Sequence, residues 1–121
     1  MNSNIGYKLK CLERNKFRSS FKLAGSDLEK AKELFYSDLG KLQKDCIEII
    51  WERLVPMYPK NDGKQTPYTG HPVFTAQHGT ATCCRSCLMK WHGIKKGKEL
   101  EKDEIIYICK LIRIWIRLNI I

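Results

Sequence analysis

The chain has 121 residues and a mass of 14.1 kDa, which is room for one domain and none for separate catalytic and regulatory halves. Hydrophobic residues at 43% and charged residues at 29% exclude a disordered chain. Lys and Arg number 22 against 13 Asp and Glu, a formal charge of +9, which makes an acidic partner the first expectation, whether nucleic acid, anionic lipid or phosphate.

Met1 is followed by the polar run Asn2-Ser3-Asn4, with no apolar stretch behind it. A cytoplasmic location is therefore expected. Cytosolic thiols are kept reduced, so clustered cysteines read as metal ligands or catalytic groups before disulfides. Residues 1–25 carry Lys8, Lys10, Arg14, Lys16, Arg18 and Lys22 against Glu13 alone, a basic N-terminal arm. Of the six cysteines, Cys11, Cys46 and Cys109 are isolated and read as small buried hydrophobes.

Ser26 with Glu29 has capping-box spacing, and apolar residues then recur at three- and four-residue intervals from Leu28 through Leu34, Leu42, Cys46 and Ile50 to Leu54. The spacing predicts one long amphipathic helix over 27–54, with an interruption near Gly40, ended by Pro56. All four prolines and two glycines fall within residues 56–72, so the stretch 56–82 is predicted as loop. A connection that long is more often functional than passive.

Residues 71–92 read HPVFTAQHGTATCCRSCLMKWH and hold all three histidines and three of the six cysteines. Cys84-x-x-Cys87 lets two thiolates converge on one ion, and His92 follows five positions later. Cys84, Cys87, His92 and His78 are the predicted ligands of a Zn²⁺ ion, with His71 and Cys83 as alternates. The spacing begins like a zinc knuckle, but the last ligand would fall near Gly97, so it is not one. Without a metal, Cys83 or Cys84 beside Arg85 at a helix start would be a lowered-pKa nucleophile. The Cys/His segment, residues 83–98, closes on the basic turn Gly93-Ile94-Lys95-Lys96-Gly97-Lys98, a candidate phosphate contact. Asp62-Gly63-Lys64 lacks the spacing of a phosphate loop.

Residues 103–121 alternate in a way that suits a strand over 112–118, yet the acidic start and the length favour a C-terminal helix. Ile105, Ile108, Ile112 and Trp115 line one face, with Lys110, Arg113 and Arg117 in a narrow basic stripe. Three cations at short intervals rule out a membrane span, and so apolar a cylinder is expected to be buried or docked on a partner. The expected fold is mainly α, a small single domain built of the arm, the long helix, the Pro/Gly-rich loop, the Cys/His segment and the C-terminal helix.

The runs NDGKQTP, GHPVFTAQH and TATCCRSCLMKWHGIKKGKEL resemble a small bacterial family, domain-of-unknown-function family 4186. The basic RNKFRSSFKL and the terminal DEIIYICKLIRIWI fit its character too, so the resemblance covers nearly the whole chain. This chain departs from the pattern at Lys95, where the family has proline, and at Glu101, where it has threonine. The resemblance implies one compact domain with helical ends and no established activity.

Three functions fit the residues. The first is a zinc-stabilised nucleic-acid-binding domain, with Arg14, Lys16, Arg18, Lys22, Arg85, Lys90, Lys95, Lys96 and Lys98 on phosphate. The second is a hydrolytic metalloenzyme acting on nucleic acid or a nucleotide. Residues 61–98 offer it only Asp62 as a carboxylate, and a deaminase signature is absent. The third is a protein-interaction module docking through the C-terminal helix, as a homodimer. The first is the expectation carried forward.

Overall fold

In the computed structural model, which describes residues 5–121, the basic arm is helical; its polar start, residues 1–4, lies outside the described residues. Helices α1 (Ile5–Arg14) and α2 (Lys16–Ser19) meet at Asn15. The Asn15 side chain accepts a hydrogen bond from the Arg18 amide at 2.9 Å and so caps α2. Ile5, Leu9 and Leu12 stand at helical spacing and turn inward. The charge count of the arm hides this apolar stripe.

The long predicted helix is two helices, α3 (Gly25–Ser37) and α4 (Leu39–Arg53). The break falls at Asp38, ahead of Gly40. Asp38 leaves the helical region at φ −152°, ends α3, and accepts from the Lys41 amide to start α4. An aspartate competes with the helix for backbone donors, which is why it caps rather than continues. The capping box expected at Ser26 does not open α3: the helix starts at Gly25, after Ala24, without a side-chain cap.

The predicted loop of 56–82 holds a further helix, α5 (Pro72–Gly79). Pro72 occupies its first turn, where a missing N–H costs nothing, and His71 Nδ1 accepts from the Val73 amide at 3.0 Å. A proline taken as a breaker is here a helix start. Helix α6 (Arg85–His92) follows, closed by Gly93 at φ +67°, and then α7 (Lys102–Asn119). The α7 start is held by Glu104, whose carboxylate accepts from the Glu101 amide at 2.8 Å and from Lys98 Nζ at 2.7 Å. Burial alone would raise the Glu104 pKa; the two donors outweigh it and hold the carboxyl below its ordinary value.

Seven helices and no strand are present among the described residues. Helix α7 packs on α4 and α5, α3 on α4 and α5, and α2 on α1 and α5. The core lies where α7 crosses its neighbours: Ile108, Leu111, Ile112 and Ile116 meet Leu42 and Ile50 of α4 and Val73 and Ala76 of α5. Cys46 joins this core, as the sequence suggests. Each such aliphatic side chain contributes about 1.5–3 kcal/mol by leaving water. Among the described residues no helix is long and apolar enough to cross a membrane.

The closest approach is α5 on α7. A Cβ at Gly79 would lie 2.6 Å from Nε1 and 2.7 Å from Cε2 of the buried Trp115 indole. Replacing Gly79 by alanine is therefore expected to lower stability by about 1–3 kcal/mol, the range for overpacking a tight core. A urea melt measures it, and an undiminished midpoint would contradict this contact.

Candidate metal centre

Polar groups buried beneath the segment between α5 and α6 fix its path. The Thr80 hydroxyl donates to the Ala76 carbonyl at 2.7 Å, so the 3.0 Å contact with Thr82 has the Thr82 hydroxyl as donor. Gln77 Nε2 donates to the Thr82 carbonyl at 3.1 Å, and the Thr66 hydroxyl to the Cys83 carbonyl at 2.8 Å. Ala81 takes the left-handed conformation at φ +58° and swings the chain into the extended Cys84 that opens α6.

This path brings three sulfurs together. Cys84 is the N-cap of α6, and its Sγ accepts from the Cys87 amide at 3.4 Å. Cys87 sits one turn in, and Cys83 precedes the cap. The three Sγ atoms lie within 4.8 Å of one another, with Cys83 and Cys87 3.7 Å apart. With Zn–S bonds near 2.3 Å, the edge of a regular tetrahedron is about 3.8 Å, so that pair stands at ligand spacing. The trio can hold a metal ion. Cys83, an alternate in the sequence reading, is a full member of it.

Arg18 of α2 closes the cluster from the other side. Its Nη2 lies 3.1 Å from Cys87 Sγ, and its Nη1 lies 2.9 Å from the His78 carbonyl and 3.7 Å from Cys83 Sγ. Thiol donors from Cys83 and Cys84, together with this guanidinium and against the opposing effect of burial, pull the Cys87 pKa far down. The Cys83 thiol is pushed up in return by its two sulfur neighbours and by burial. Burial works against the Arg18 charge, but the two sulfurs prevail and raise its pKa. The helix N-terminus adds partial positive charge at the same place. A negative sulfur cluster is thus matched by a buried cation 69 positions away in the chain.

The three histidines are employed differently. His92 Nε2 faces the Thr80 carbonyl at 2.8 Å and must donate, so its Nδ1 accepts from the Tyr107 hydroxyl at 2.8 Å. Burial pushes its pKa down to about 4, and the neutral ring ties α6 to α7 and to the end of α5. His71 spends Nδ1 on the α5 cap and donates from Nε2 to Asp45 at 3.1 Å. His78 Nε2 donates to the carbonyls of Thr66 and Pro67 at 3.1 and 3.2 Å, and its ring stacks on Tyr68, centroids 4.3 Å apart. Among the described residues, the Nδ1 of His78 has no hydrogen-bond partner. None of the three joins the sulfur trio at ligand distance.

Asp62 does reach the start of α6. Its Oδ1 accepts from the Arg85 amide at 3.1 Å and from Gln65 Nε2 at 2.9 Å. It serves as a cap there and does not enter the cluster. The nine cations expected on phosphate divide sharply. Arg14, Lys16, Lys22, Lys90, Lys95 and Lys96 are exposed, and Lys98 is half-buried against Glu104. Arg18 and Arg85 are interior groups, a correction to their expected place on the surface. Arg85 is 1% exposed. Its Nη1 donates to the carbonyls of Leu54 and Pro56, and its Nη2 to those of Lys95 and Lys98, at 2.8–3.1 Å. Its Nε has no partner.

A family model described as "Domain of unknown function (DUF4186)" matches residues 7–117. The chain belongs to that family. No solved structure matches it. The match begins inside α1 and ends inside α7, so in this DUF4186 member the sulfur trio, Arg18, His78 and Arg85 all lie within the family's own span.

Spacing points to Cys84 and Cys87 and leaves Cys83 as an alternate; the structure makes it the third sulfur. Spacing could not find the partnership of Arg18 with Cys87 or of His92 with Tyr107, because no local pattern relates those pairs. Arg85→Lys is expected to cost at least about 1–3 kcal/mol, since an ammonium has three donors for four carbonyls and each carbonyl abandoned costs that much. Chemical denaturation reads the loss, and wild-type stability in that variant would refute the staple.

Proposed function

We propose that the domain binds Zn²⁺ through the thiolates of Cys83, Cys84 and Cys87, with His78 Nδ1 in the fourth position. The carrying observation is the sulfur trio with its 3.7 Å edge at the start of α6. The choice of His78 rests on its hydrogen bonding. Its Nε2 already donates to backbone carbonyls, the usual outer contact of a metal-bound imidazole, and its Nδ1 is free among the described residues. Three thiolates on a divalent ion leave one excess negative charge, which the Arg18 guanidinium offsets. The ion would supply a cross-link between the last turn of α5 and the start of α6, a staple of the kind small domains use. Cys84, Cys87 and His78 keep their predicted places in this reading, Cys83 replaces His92, and His71 stays at its cap.

Cobalt substitution tests the centre. One equivalent of Co²⁺ is expected to give thiolate-to-metal charge-transfer absorption and the d–d bands of a tetrahedral site. Cys84→Ser and Cys87→Ser should weaken both, and His78→Gln should change the d–d bands while sparing the sulfur transitions. Absence of stoichiometric metal, and of any such bands, would sink the reading.

We further infer that the exposed cations serve nucleic acid. The Arg18–Cys87 contact joins α2 to α6, so two basic stretches far apart in sequence, around Lys16 and around Lys90 and Lys95, are carried by elements in contact. Affinity for a 20-base-pair duplex or a single-stranded RNA is expected to fall steeply with salt. Lys16→Glu, Lys22→Glu and Lys95→Glu together should lower it at least tenfold in a filter or anisotropy assay. Salt-independent or absent binding to both would overturn the inference.

A further inference from the structure

On the face where α4 meets α7, away from the sulfur cluster, the surface opens into a groove of about 730 Å³. Its floor is apolar, formed by Leu42 and Cys46 of α4 and Ile105, Cys109 and Ile112 of α7. Its walls carry large hydrophobic side chains in water: Ile47 is 48% exposed, Trp51 62% and Ile106 49%. Ile47 and Trp51 stand one turn apart on α4, so they form a continuous ridge facing the ridge of α7. Exposed apolar side chains scattered singly need no explanation, but three gathered on one apolar groove mark a contact surface.

Charge says what kind of contact. The lining holds three cations, Lys102, Lys110 and Arg113, and no carboxylate. Among the described residues none of the three makes an ion pair. They lie along α7 over eleven residue steps, about 17 Å at the helical rise, or roughly three turns. A long-chain acid carries one carboxylate and can meet only one of these charges. A second copy of this chain, placed groove to groove on a two-fold axis, would set the three cations against their own duplicates. The span and its dispersed positive charge fit a ligand of similar length with several negative charges and one apolar stripe.

We propose that the α4–α7 groove receives an acidic amphipathic helix of about three turns from another protein. Its apolar residues, at three- and four-residue spacing, lie between Trp51 and Ile106 as in other helix-in-groove complexes, and its flanking Glu or Asp side chains meet Lys102, Lys110 and Arg113. The site is independent of the metal reading: it shares no residue with the sulfur cluster, and neither result bears on the other.

The test uses the full chain and a fluorescein-labelled 18-residue peptide with leucines at helical spacing and glutamates on both flanks. The control peptide has lysines in place of every glutamate. Anisotropy titration is expected to show saturable binding of the acidic peptide, at least tenfold tighter than the basic one. Trp51→Ala should weaken it at least tenfold. The double variant Lys110→Glu, Arg113→Glu should reverse the preference and bind the basic peptide better. That reversal is a gain that a misfolded protein cannot produce, and thermal melts of each variant accompany the titration. Equal affinity for the two peptides, or no reversal, overturns the proposal. So does palmitate binding with an affinity indifferent to Lys110→Glu and Arg113→Glu while the acidic peptide fails to bind. A sedimentation mass that rises to a dimer in the wild type and returns to a monomer in Ile106→Glu likewise overturns it, in favour of a second copy.

Discussion

One buried guanidinium organises the part of the molecule that carries its chemistry. Arg85 gathers four backbone carbonyls: two from the chain leaving α4 and two from the turn before α7. These groups have no helix or strand of their own to bond within, and left alone in the interior each would carry an unpaid desolvation cost. A charged fork with several donors in fixed geometry satisfies them together, as a lysine could not. Because Arg85 lies between Cys84 and Cys87, the same bonds that fold the two loops also set the position of the first turn of α6. The Asp62 cap on the Arg85 amide adds a third segment to the same point. The placement of the sulfurs is a consequence of this knot of loops.

A second interior arginine completes the electrostatics. Arg18 brings positive charge to a cluster that already sits at a helix N-terminus, and it does so while bonded to the His78 carbonyl. Burial opposes the negative charge that Cys87 carries between the thiols of Cys83 and Cys84. The arrangement holds because a cation and a helix end share the space. The polar groups around it leave little slack: Thr66, Gln77, Thr80 and Thr82 are all buried and all bonded, and the Gln77 Oε1 atom alone among them lacks a partner. Two faces of the domain thus differ in kind. The cluster face is polar, interlocked and cationic, whereas the α4–α7 face is apolar, open and rimmed by free cations.

Much of this was legible in the residues. The mainly α architecture follows from hydrophobic spacing, and the last helix is legible to within two residues at either end because its acidic start and its length outweigh the strand-like alternation of residues 112–118. Cys84-x-x-Cys87 announced the sulfur pair. Three things were not legible. The charges of the arm conceal the stripe of Ile5, Leu9 and Leu12. Pro72 reads in sequence as a breaker, yet its ring suits the first turn of a helix once His71 provides the cap. The interruption expected near Gly40 falls two residues earlier, at Asp38, because aspartate favours a cap wherever the chain can turn.

The sequence by itself determined the elements and the local sulfur spacing, because both arise from interactions between residues a few positions apart. Only the tertiary structure decided what each charged or ligand-type side chain does. Arg18 and Arg85 look in sequence like their neighbours Lys16 and Lys90, yet folding withdraws the arginines from water and leaves the lysines in it. His71, His78 and His92 are equivalent as letters, yet one caps a helix, one ties α6 to α7, and one retains a free nitrogen. The physical reason is that burial and partnership are properties of segments packed together from distant parts of the chain, and no local pattern encodes which segment arrives.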